Sequence, residues 1–300
     1  MIRKLAYLGL WFVRARFMGR QAPLQTVLFI SDQCNLSCKH CSVYRHEHPH
    51  VKSYEQVREE LEYSYRIGSR FVDFEGGEPT LWRDGDHDLN SLIRLAKQIG
   101  FFSTTITTNA QQPFAGSEAD SIWVSLDGLG AYHDDIRGAG SFERLCRNIA
   151  TAAHPHLSAN MVINARNYTS VEETIQFARD SPYIRSISLN FHTPYAGTED
   201  LFLDQERRSE VIELIIRLKR QGYPIMNSVS GLSLMRFPQE NGKRQCWVTN
   251  FIMPEGEKLA ECQGRKAGVC GYCGFAMAGE MQAVFSFKLD TLLAGMNLRL

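Results

Sequence analysis

The sequence predicts an α/β fold, a partial (β/α)6 barrel of the TIM type followed by a small cysteine-rich domain. Two observations lead to this prediction. From residue 24 to residue 227, short apolar runs alternate with helical stretches, and beyond 227 the alternation stops while glycine and cysteine become frequent. Regular alternation indicates a parallel sheet with right-handed crossovers. Six strands are too few for the closed eight-unit barrel, so we expect an open one.

The predicted strands are short apolar runs bounded by polar residues or glycine, and the predicted helices are longer stretches with helical periodicity. The strands lie at residues 24–30, 71–75, 101–107, 121–127, 157–163 and 184–191. The helices lie at residues 53–68, 88–100, 141–153, 170–180 and 204–222. We therefore divide the chain into an N-terminal helix (1–23), the barrel (24–227) and an appended domain (228–300).

The composition excludes some classes of protein. Lys plus Arg equals Asp plus Glu, at 33 residues each, so bulk charge gives no reason to expect a nucleic-acid partner. The eight cysteines are too few for a disulfide scaffold in a chain of 300 residues, and seven of them fall in two clusters. Clustered cysteines without a secretory signal indicate metal binding in a reducing compartment, so we expect a cytoplasmic location.

The first twenty residues are basic and amphipathic. None is acidic, and five are basic: Arg3, Lys4, Arg14, Arg16 and Arg20. The apolar run at 5–13 is too short to span a bilayer, which needs about 20 residues. Two interpretations stay open. The helix lies peripherally on a membrane surface, or its apolar face packs on the protein's own barrel.

The first cysteine cluster is Cys34, Cys38 and Cys41, with spacing C-x3-C-x2-C. Thiolates are soft ligands that suit iron–sulfur clusters. Because a [4Fe–4S] cluster has four irons, three cysteines leave one iron open for a small molecule that can chelate it. By spacing alone, a zinc site completed by His40 or by a remote ligand stays open as well.

Polar residues follow the predicted strands, where the chemistry of such barrels is found. Glu78 comes after the second strand, Thr108 and Asn109 after the third, and Asp127 after the fourth. The fifth and sixth strands are followed by three further candidates, which we expect to face the substrate: Asn164, Asn190 and His192. For His192, a hydrogen-bonded structural role is an open alternative.

At these positions the sequence resembles the radical S-adenosylmethionine (radical SAM) superfamily, over roughly residues 24–225. The superfamily signature is C-x3-C-x-Φ-C, in which Φ is usually aromatic, and His40 stands at Φ here. The glycine-rich turn of the family corresponds to GGEP at 76–79, directly after the second strand. VSLDG at 124–128 and HDDIRG at 133–138 also match family patterns.

The resemblance implies a set of SAM contacts. Gly76, Gly77 and Glu78 would position the methionine amino group, with glycine letting the backbone approach the ligand closely. Arg137 would pair with the SAM carboxylate, although a surface ion pair is an open alternative for it. The remaining implied contacts are His40 near the adenine, Thr108 and Asn109 towards the ribose, and Ser125 and Asp127.

The resemblance also implies the reaction. An external donor such as flavodoxin or ferredoxin reduces the cluster, which passes one electron to SAM. SAM then gives methionine and a 5′-deoxyadenosyl radical, which abstracts hydrogen from a substrate. We expect a peptide or protein substrate, with a small metabolite or a lipid-like molecule as the alternative. A non-catalytic zinc-binding protein is a remote alternative, because it has no use for GGEP at a strand end.

The second cysteine cluster has spacing C-x15-C-x7-C-x2-C and consists of Cys246, Cys262, Cys270 and Cys273. Four thiolates close either a zinc tetrahedron or a cubane, and spacing does not separate the two. The family resemblance implies an auxiliary [4Fe–4S] domain of the SPASM type or of its shortened form, Twitch. Cys146 stands alone in an apolar helical pattern, which predicts a small core residue.

Overall fold

The protein, in a computed structural model, contains an eight-stranded, mostly parallel sheet with helices packed on its outside. The structure describes residues 2–43, 47–236 and 245–299, without the side chains beyond 295. The strands of the sheet are β1 (Gln25–Phe29), β2 (Phe71–Glu75), β5 (Ser103–Thr108), β6 (Ser121–Ser125), β7 (Leu157–Ile163), β8 (Ile187–Phe191), β9 (Thr249–Ile252) and β10 (Lys258–Leu259). A separate hairpin is formed by β3 (Arg83–Asp84) and β4 (His87–Asp88).

The helices of the barrel lie between its strands. They are α2 (Tyr54–Ile67), α3 (Leu89–Ile99), α4 (Ala131–Arg137), α5 (Ser141–Ala152), α6 (Val171–Asp180) and α7 (Gln205–Arg220). The flanking helices are α1 (Ile2–Phe17), α8 (Val229–Met235), α9 (Gln263–Lys266), α10 (Ala276–Phe285) and α11 (Leu289–Arg299).

The sheet confirms the predicted partial barrel. Its strand order is β10-β9-β1-β2-β5-β6-β7-β8, and the strands from β1 to β8 pair in parallel in the order of the chain. The six predicted strands lie within three residues of their predicted ends. The third repeat differs from the pattern, because residues 109–120 form a loop and no helix separates β5 from β6.

The C-terminal region contributes to the barrel sheet itself. Strand β9 pairs in parallel with β1, and β10 pairs antiparallel with β9. Without this addition β1, which is buried along its whole length, would present an open edge. The boundary predicted at residue 228 therefore does not separate two sheets, and the division into domains stays a prediction.

The two faces of each strand differ. Leu28, Val72, Phe74 and Ile106 belong to one core cluster together with helix residues such as Leu92. Because side chains alternate along a strand, the residues between them point into the barrel. That interior holds polar pairs beside the apolar Val27 and Phe29. Gln25 Nε2 donates to Asp73 Oδ2 at 3.4 Å, and Thr107 Oγ1 donates to Glu75 Oε1 at 3.4 Å.

Helix α1 covers the amino end of the barrel. Trp11 packs with Leu24, Phe71 and Val248, which lie beside the starts of β1, β2 and β9. Its indole Nε1 donates to the carbonyl of Ala22 at 2.8 Å. These contacts support the interpretation in which the helix packs on its own barrel. No helix in the described residues is long and apolar enough to cross a membrane.

Candidate functional site

The first cysteine cluster lies in the loop that follows β1, at the carboxyl edge of the sheet. Hydrogen bonds fix this loop at both ends. Asp32 exchanges two bonds with His50, and the backbone N–H of Lys39 donates to the carbonyl of Ile136 at 3.0 Å. The Lys39 ammonium also forms an ion pair with Asp135 at 2.6 Å. The loop is thereby attached to α4, the helix that carries the HDDIRG motif.

Hydrogen-bond donors surround the sulfur atoms. Backbone N–H groups of Leu36 and Val43 donate to Cys34 Sγ and Cys41 Sγ at 3.5 and 3.4 Å. Asn109 Nδ2 lies 3.7 Å from Cys34 Sγ, and Arg137 Nη1 lies 3.7 Å from Cys38 Sγ. Donors aimed at sulfur stabilise thiolates and cluster-bound cysteines. The three side chains and their surroundings therefore fit an iron–sulfur cluster.

Burial sets the protonation of these thiols. Burial first, and then the nearby Glu78, Cys38 and Cys41, raise the pKa of Cys34 to about 11 against the hydrogen bond from the Leu36 N–H. Burial also raises the pKa of Cys38, while the charge of Arg137 opposes the shift. Without iron, Cys34 and Cys38 therefore stay protonated at neutral pH, so loading a metal releases their protons.

The two glycines of GGEP pack against the cysteine loop. An added Cβ at Gly76 would overlap the carbonyl oxygen of Ser31, and one at Gly77 would overlap that of Gln33. The backbone N–H groups of Gly77 and Glu78 donate to these two carbonyls at 2.8 Å. Glycine at these two positions therefore admits the protein's own backbone, and the predicted contact of Gly76 and Gly77 with SAM stays a prediction.

Glu78 joins the ends of β2 and β5. It is buried, and its carboxylate accepts from Thr108 Oγ1 and from the Asn109 N–H, both at 2.7 Å, and from the hydroxyl and N–H of Thr80. Burial raises the pKa of Glu78, and these hydrogen bonds lower it. Three predicted site residues therefore meet in one network. Their contacts with SAM stay predictions.

Asp127 and Arg137 form a buried ion pair. Arg137 Nε donates to Asp127 Oδ2 at 2.7 Å, and the other carboxylate oxygen accepts from the Val162 N–H at 2.9 Å. Arg137 is only 7% exposed, so the ion pair is not the surface pair considered from the sequence. Asp127 holds the guanidinium beside Cys38. The predicted contact of either residue with SAM stays a prediction.

His40 and Ser125 border this pair. His40 Nδ1 lies 3.8 Å from Asp127 Oδ2, and within the described residues it has no hydrogen-bond partner. Burial lowers the pKa of His40 to about 4, so the ring is neutral at pH 7. Ser125 is buried at the carboxyl end of β6. The predicted contacts of both residues with SAM stay predictions.

The three predicted substrate residues make bonds within the protein. Asn164 Nδ2 donates to the Val162 carbonyl at 3.2 Å. Asn190 Oδ1 accepts from the N–H of Ala276 at 2.8 Å, which attaches α10 to β8. His192 Nε2 lies 3.0 Å from the carbonyl of Thr198. These bonds agree with the structural alternative for His192, and the substrate roles stay predictions.

The second cysteine cluster converges on Tyr195, a residue that the sequence analysis missed. Burial raises the pKa of the Tyr195 hydroxyl, and charge on Cys262, Cys273 and Cys270 raises it further. A hydrogen bond from Cys246 lowers the pKa of Cys262 to about 6, so these two thiols lie within hydrogen-bond distance of each other. In the sequence, the only signal that pointed to Tyr195 as a site residue was its position just beyond the sixth predicted strand.

The chain around Cys273 is fixed to the carboxyl end of β8. Gly274 makes two hydrogen bonds with this region: its carbonyl accepts from the Phe191 N–H at 2.9 Å, and its N–H donates to the side-chain hydroxyl of Thr193 at 3.0 Å. Arg208 Nη2 donates to the Cys273 carbonyl at 2.9 Å. The second cluster therefore borders the same edge of the sheet as the first.

Neither cluster has the compact geometry of a mononuclear metal site. Among the described residues, no three His, Cys, Asp or Glu side chains converge on a point that a single ion would occupy. A cubane does not need such a point, because each cysteine binds a different iron.

A family model described as the Radical SAM superfamily matches residues 28–178, a span that contains the first cysteine cluster, GGEP and Arg137. The chain belongs to the radical SAM superfamily. This is a superfamily of enzymes, and membership implies a [4Fe–4S] cluster and SAM as cofactors.

Individual relatives are more distant. Mycofactocin maturase MftC of Mycolicibacterium smegmatis is 29% identical over 168 residues, which cover 52% of this chain and 41% of that protein. Fe-coproporphyrin III synthase of Methanosarcina barkeri is 25% identical over 262 residues, which cover 79% of this chain and 62% of the relative. The chain thus spans about half the length of these curated relatives.

Among solved structures, SuiB of Streptococcus suis bound to its precursor peptide SuiA has a similar fold. The TM-score is 0.66 at 19% identity, and the match covers 90% of this chain and 66% of SuiB. At this identity the likeness concerns the fold alone.

Proposed function

We propose that this chain cleaves SAM reductively at a [4Fe–4S] cluster held by Cys34, Cys38 and Cys41, and that it modifies a peptide or protein by hydrogen abstraction. The observation that carries the proposal is the set of donors around the three sulfur atoms. Two backbone N–H groups, the Asn109 amide and the Arg137 guanidinium are aimed at them. A buried cation beside a cluster offsets its negative charge and favours the reduced form.

The protein's own residues would bind and orient SAM. When bound, the reduced cluster supplies the single electron that splits SAM into methionine and a 5′-deoxyadenosyl radical. Glu78 would fix the methionine amino group from a position set by Thr108 and Asn109. Arg137, held by Asp127, is a cation for the SAM carboxylate. Gly76, Gly77, His40 and Ser125 complete the proposed SAM contacts, and a flavodoxin or ferredoxin is the proposed electron donor.

We assign the second cysteine cluster to an auxiliary [4Fe–4S] cluster of the SPASM or Twitch type. The proximity of Cys262, Cys270 and Cys273 to Tyr195 supports this assignment, as do the backbone N–H groups of Arg265 and Gly264, which bond to Cys262. Its attachment to the end of β8 puts it near the proposed substrate side of the barrel.

Two substrate classes compete. A peptide is supported by the relative named as a maturase and by the fold neighbour bound to a precursor peptide. An iron porphyrin is the second candidate, because the Methanosarcina relative, which aligns over 79% of this chain, is named for that product. The polar barrel interior, with Asp73 and Glu75, is compatible with either.

The test is product analysis under anaerobic conditions after reconstitution with iron and sulfide. With dithionite, the wild-type protein is expected to form 5′-deoxyadenosine slowly without substrate. Cys38→Ala should abolish this activity because a cluster ligand is lost, while Cys146→Ala, a cysteine outside both clusters, should retain it. If the wild type forms no more 5′-deoxyadenosine than Cys38→Ala, the proposal is wrong.

A second measurement separates the substrate classes. Fe-coproporphyrin III is titrated into the reconstituted protein while the Soret band and the rate of 5′-deoxyadenosine formation are followed. Because this porphyrin is the product for which the relative is named, it should bind without being consumed, so a shifted Soret band together with a slower rate supports the porphyrin candidate. No response in either readout removes that candidate and leaves the peptide.

A further inference from the structure

Helix α1 has two apolar faces, and only one of them is packed. Leu8, Trp11 and Ala15 face the barrel. Because consecutive residues are about 100° apart around a helix, Leu10, Val13 and Phe17 lie on the opposite side. All three are exposed, Phe17 to 66%. Barrel packing explains one stripe of this helix and leaves the other in solvent.

The exposed stripe continues onto a neighbouring aromatic side chain. Phe287, in the turn between α10 and α11, is 51% exposed, and its ring contacts that of Phe17 with centroids 6.2 Å apart. Leu289 and Leu293, one turn apart on α11, are also exposed. We call the group Leu10, Val13, Phe17, Phe287, Leu289 and Leu293 the outer patch.

The turn that presents Phe287 is strained. Its φ is 59°, in the left-handed region, which costs a residue with a side chain about 1–2 kcal/mol. A sequence selected only for folding would favour glycine or asparagine here. The strained backbone places a large aromatic ring at the surface beside Phe17, which indicates a functional role for the exposed ring.

Basic residues border the outer patch. Arg3 and Arg14 lie on one side of the α1 stripe and Arg16 on the other, as the helical spacing dictates. The Arg16 guanidinium stacks over the rings of both Phe17 and Phe287, at 5.6 and 5.4 Å. Within the described part of the chain, neither these three residues nor Arg20 forms an ion pair with a carboxylate. The border is therefore an uncompensated positive rim.

We propose that the outer patch docks this enzyme on an anionic lipid bilayer. An apolar stripe flanked by arginines is the arrangement of helices that lie in the membrane interface, with the rings among the acyl chains and the guanidinium groups at the phosphates. A second copy of the chain fits less well, because a twofold contact through this patch would bring two positive rims together.

The fold determines the orientation on the bilayer. Helix α1 covers the amino end of the barrel, whereas both cysteine clusters lie at the carboxyl edge. Five-residue strands separate the two ends by roughly 17 Å. The docked protein therefore directs its cysteine edge away from the lipid, towards water. In this orientation the bilayer localises the enzyme and does not supply a lipid substrate directly. This inference does not depend on the proposed reaction.

The test is flotation of the full-length protein with vesicles of phosphatidylcholine, with and without phosphatidylglycerol. Wild-type protein is expected to float with anionic vesicles only, and less at high salt. Arg14→Gln removes one rim charge and should weaken binding about fivefold, the loss expected for one basic residue at an anionic surface. Phe17→Ser with Phe287→Ser should weaken binding at every salt concentration.

The matched control is Arg147→Gln with Tyr183→Ser, which removes an exposed basic and an exposed aromatic residue elsewhere on the surface. It should bind vesicles like the wild type. Equal flotation of all variants, or equal binding to neutral vesicles, overturns the proposal. The proposal is also overturned if the wild type is a dimer, Phe17→Ser with Phe287→Ser is a monomer, and neither protein binds vesicles.

Discussion

At the residue scale, Arg137 has the most demanding environment of the site. Its guanidinium is buried, and two of its nitrogens are committed, one to Asp127 and one to Cys38. Asp127 is equally buried, and the pair raises the pKa of Arg137 and lowers that of Asp127, although burial opposes both shifts. Each charge is tolerated inside the protein only because the other is present.

This predicts a large effect of Arg137→Gln on stability. Removing one partner of a buried pair leaves an uncompensated charge, here on Asp127, which costs about 3–5 kcal/mol. Urea unfolding of the iron-free protein under reducing conditions measures it. The control is Arg147→Gln. The Arg147 side chain is 64% exposed and pairs with Glu143, so this variant is expected to lose less than about 1 kcal/mol of unfolding free energy. Similar losses for both variants would contradict the structural role assigned to Arg137.

The sequence identified the site residues better than it identified their partners. Residues that end neighbouring parallel strands must meet at one edge, so Glu78, Thr108 and Asp127 could be grouped from strand assignments alone. That Gly77 touches Gln33 depends on how two loops pack, and no local pattern encodes it. Tyr195 was missed for the same reason, since the cysteines around it come from a segment more than sixty residues away.

At the scale of elements, α8 depends on two other helices for its start. Ser228 is its N-cap, and Glu280 from α10 accepts from both the N–H and the hydroxyl of Ser228 at 2.8 and 2.6 Å. Asp290 from α11 accepts from Ser230 in the same way. Carboxylates at a helix N-terminus complement its dipole. Glu280 is largely buried at this contact, and burial raises the pKa of its carboxyl group to about 7.

A pH dependence of stability follows. Because the folded pKa of Glu280 lies above its ordinary value, the folded state binds this proton more tightly than the unfolded chain. The resulting stability is present at low pH and is lost as pH rises through 7. Between pH 5.5 and pH 8 the loss is on the order of 1–2 kcal/mol. The free energy of unfolding is measured against pH for the wild type and for Glu280→Gln, and the difference between the two curves isolates the contribution of Glu280. Parallel curves would contradict the raised pKa of Glu280.

Which elements could be predicted depends on their length and periodicity. Helices such as α2 and α3, which have a strong apolar period, were predicted to within a residue or two. Helix α4 and strand β9 were not predicted, because seven and four residues are too short for a period to be recognised. The pairing of β9 with β1 joins segments more than two hundred residues apart, which only tertiary structure reveals.

At the scale of the whole molecule, the two ends of the barrel have different contents. Both cysteine clusters border the carboxyl edge, one after β1 and one attached to β8, while aromatic packing closes the amino end. In the order of the sheet β1 and β8 lie far apart, but the barrel's curvature brings them to one opening. A substrate entering there would meet the proposed SAM site on one side and the proposed auxiliary cluster on the other.

That arrangement predicts separable roles for the two clusters. Two cubanes give roughly eight irons per chain after anaerobic reconstitution, and the triple variant Cys34→Ala, Cys38→Ala and Cys41→Ala should keep roughly four. Cys270→Ala or Cys273→Ala should spare the substrate-free cleavage of SAM, because the first cluster and Arg137 are untouched, and should impair turnover of the substrate. Cys146→Ala serves as the control with full iron and full activity.

Iron and zinc analysis beside the 5′-deoxyadenosine assay decides the outcome. Stoichiometric zinc in the triple variant would refute the auxiliary cluster. Loss of substrate-free cleavage in Cys273→Ala would show that the two clusters do not work independently.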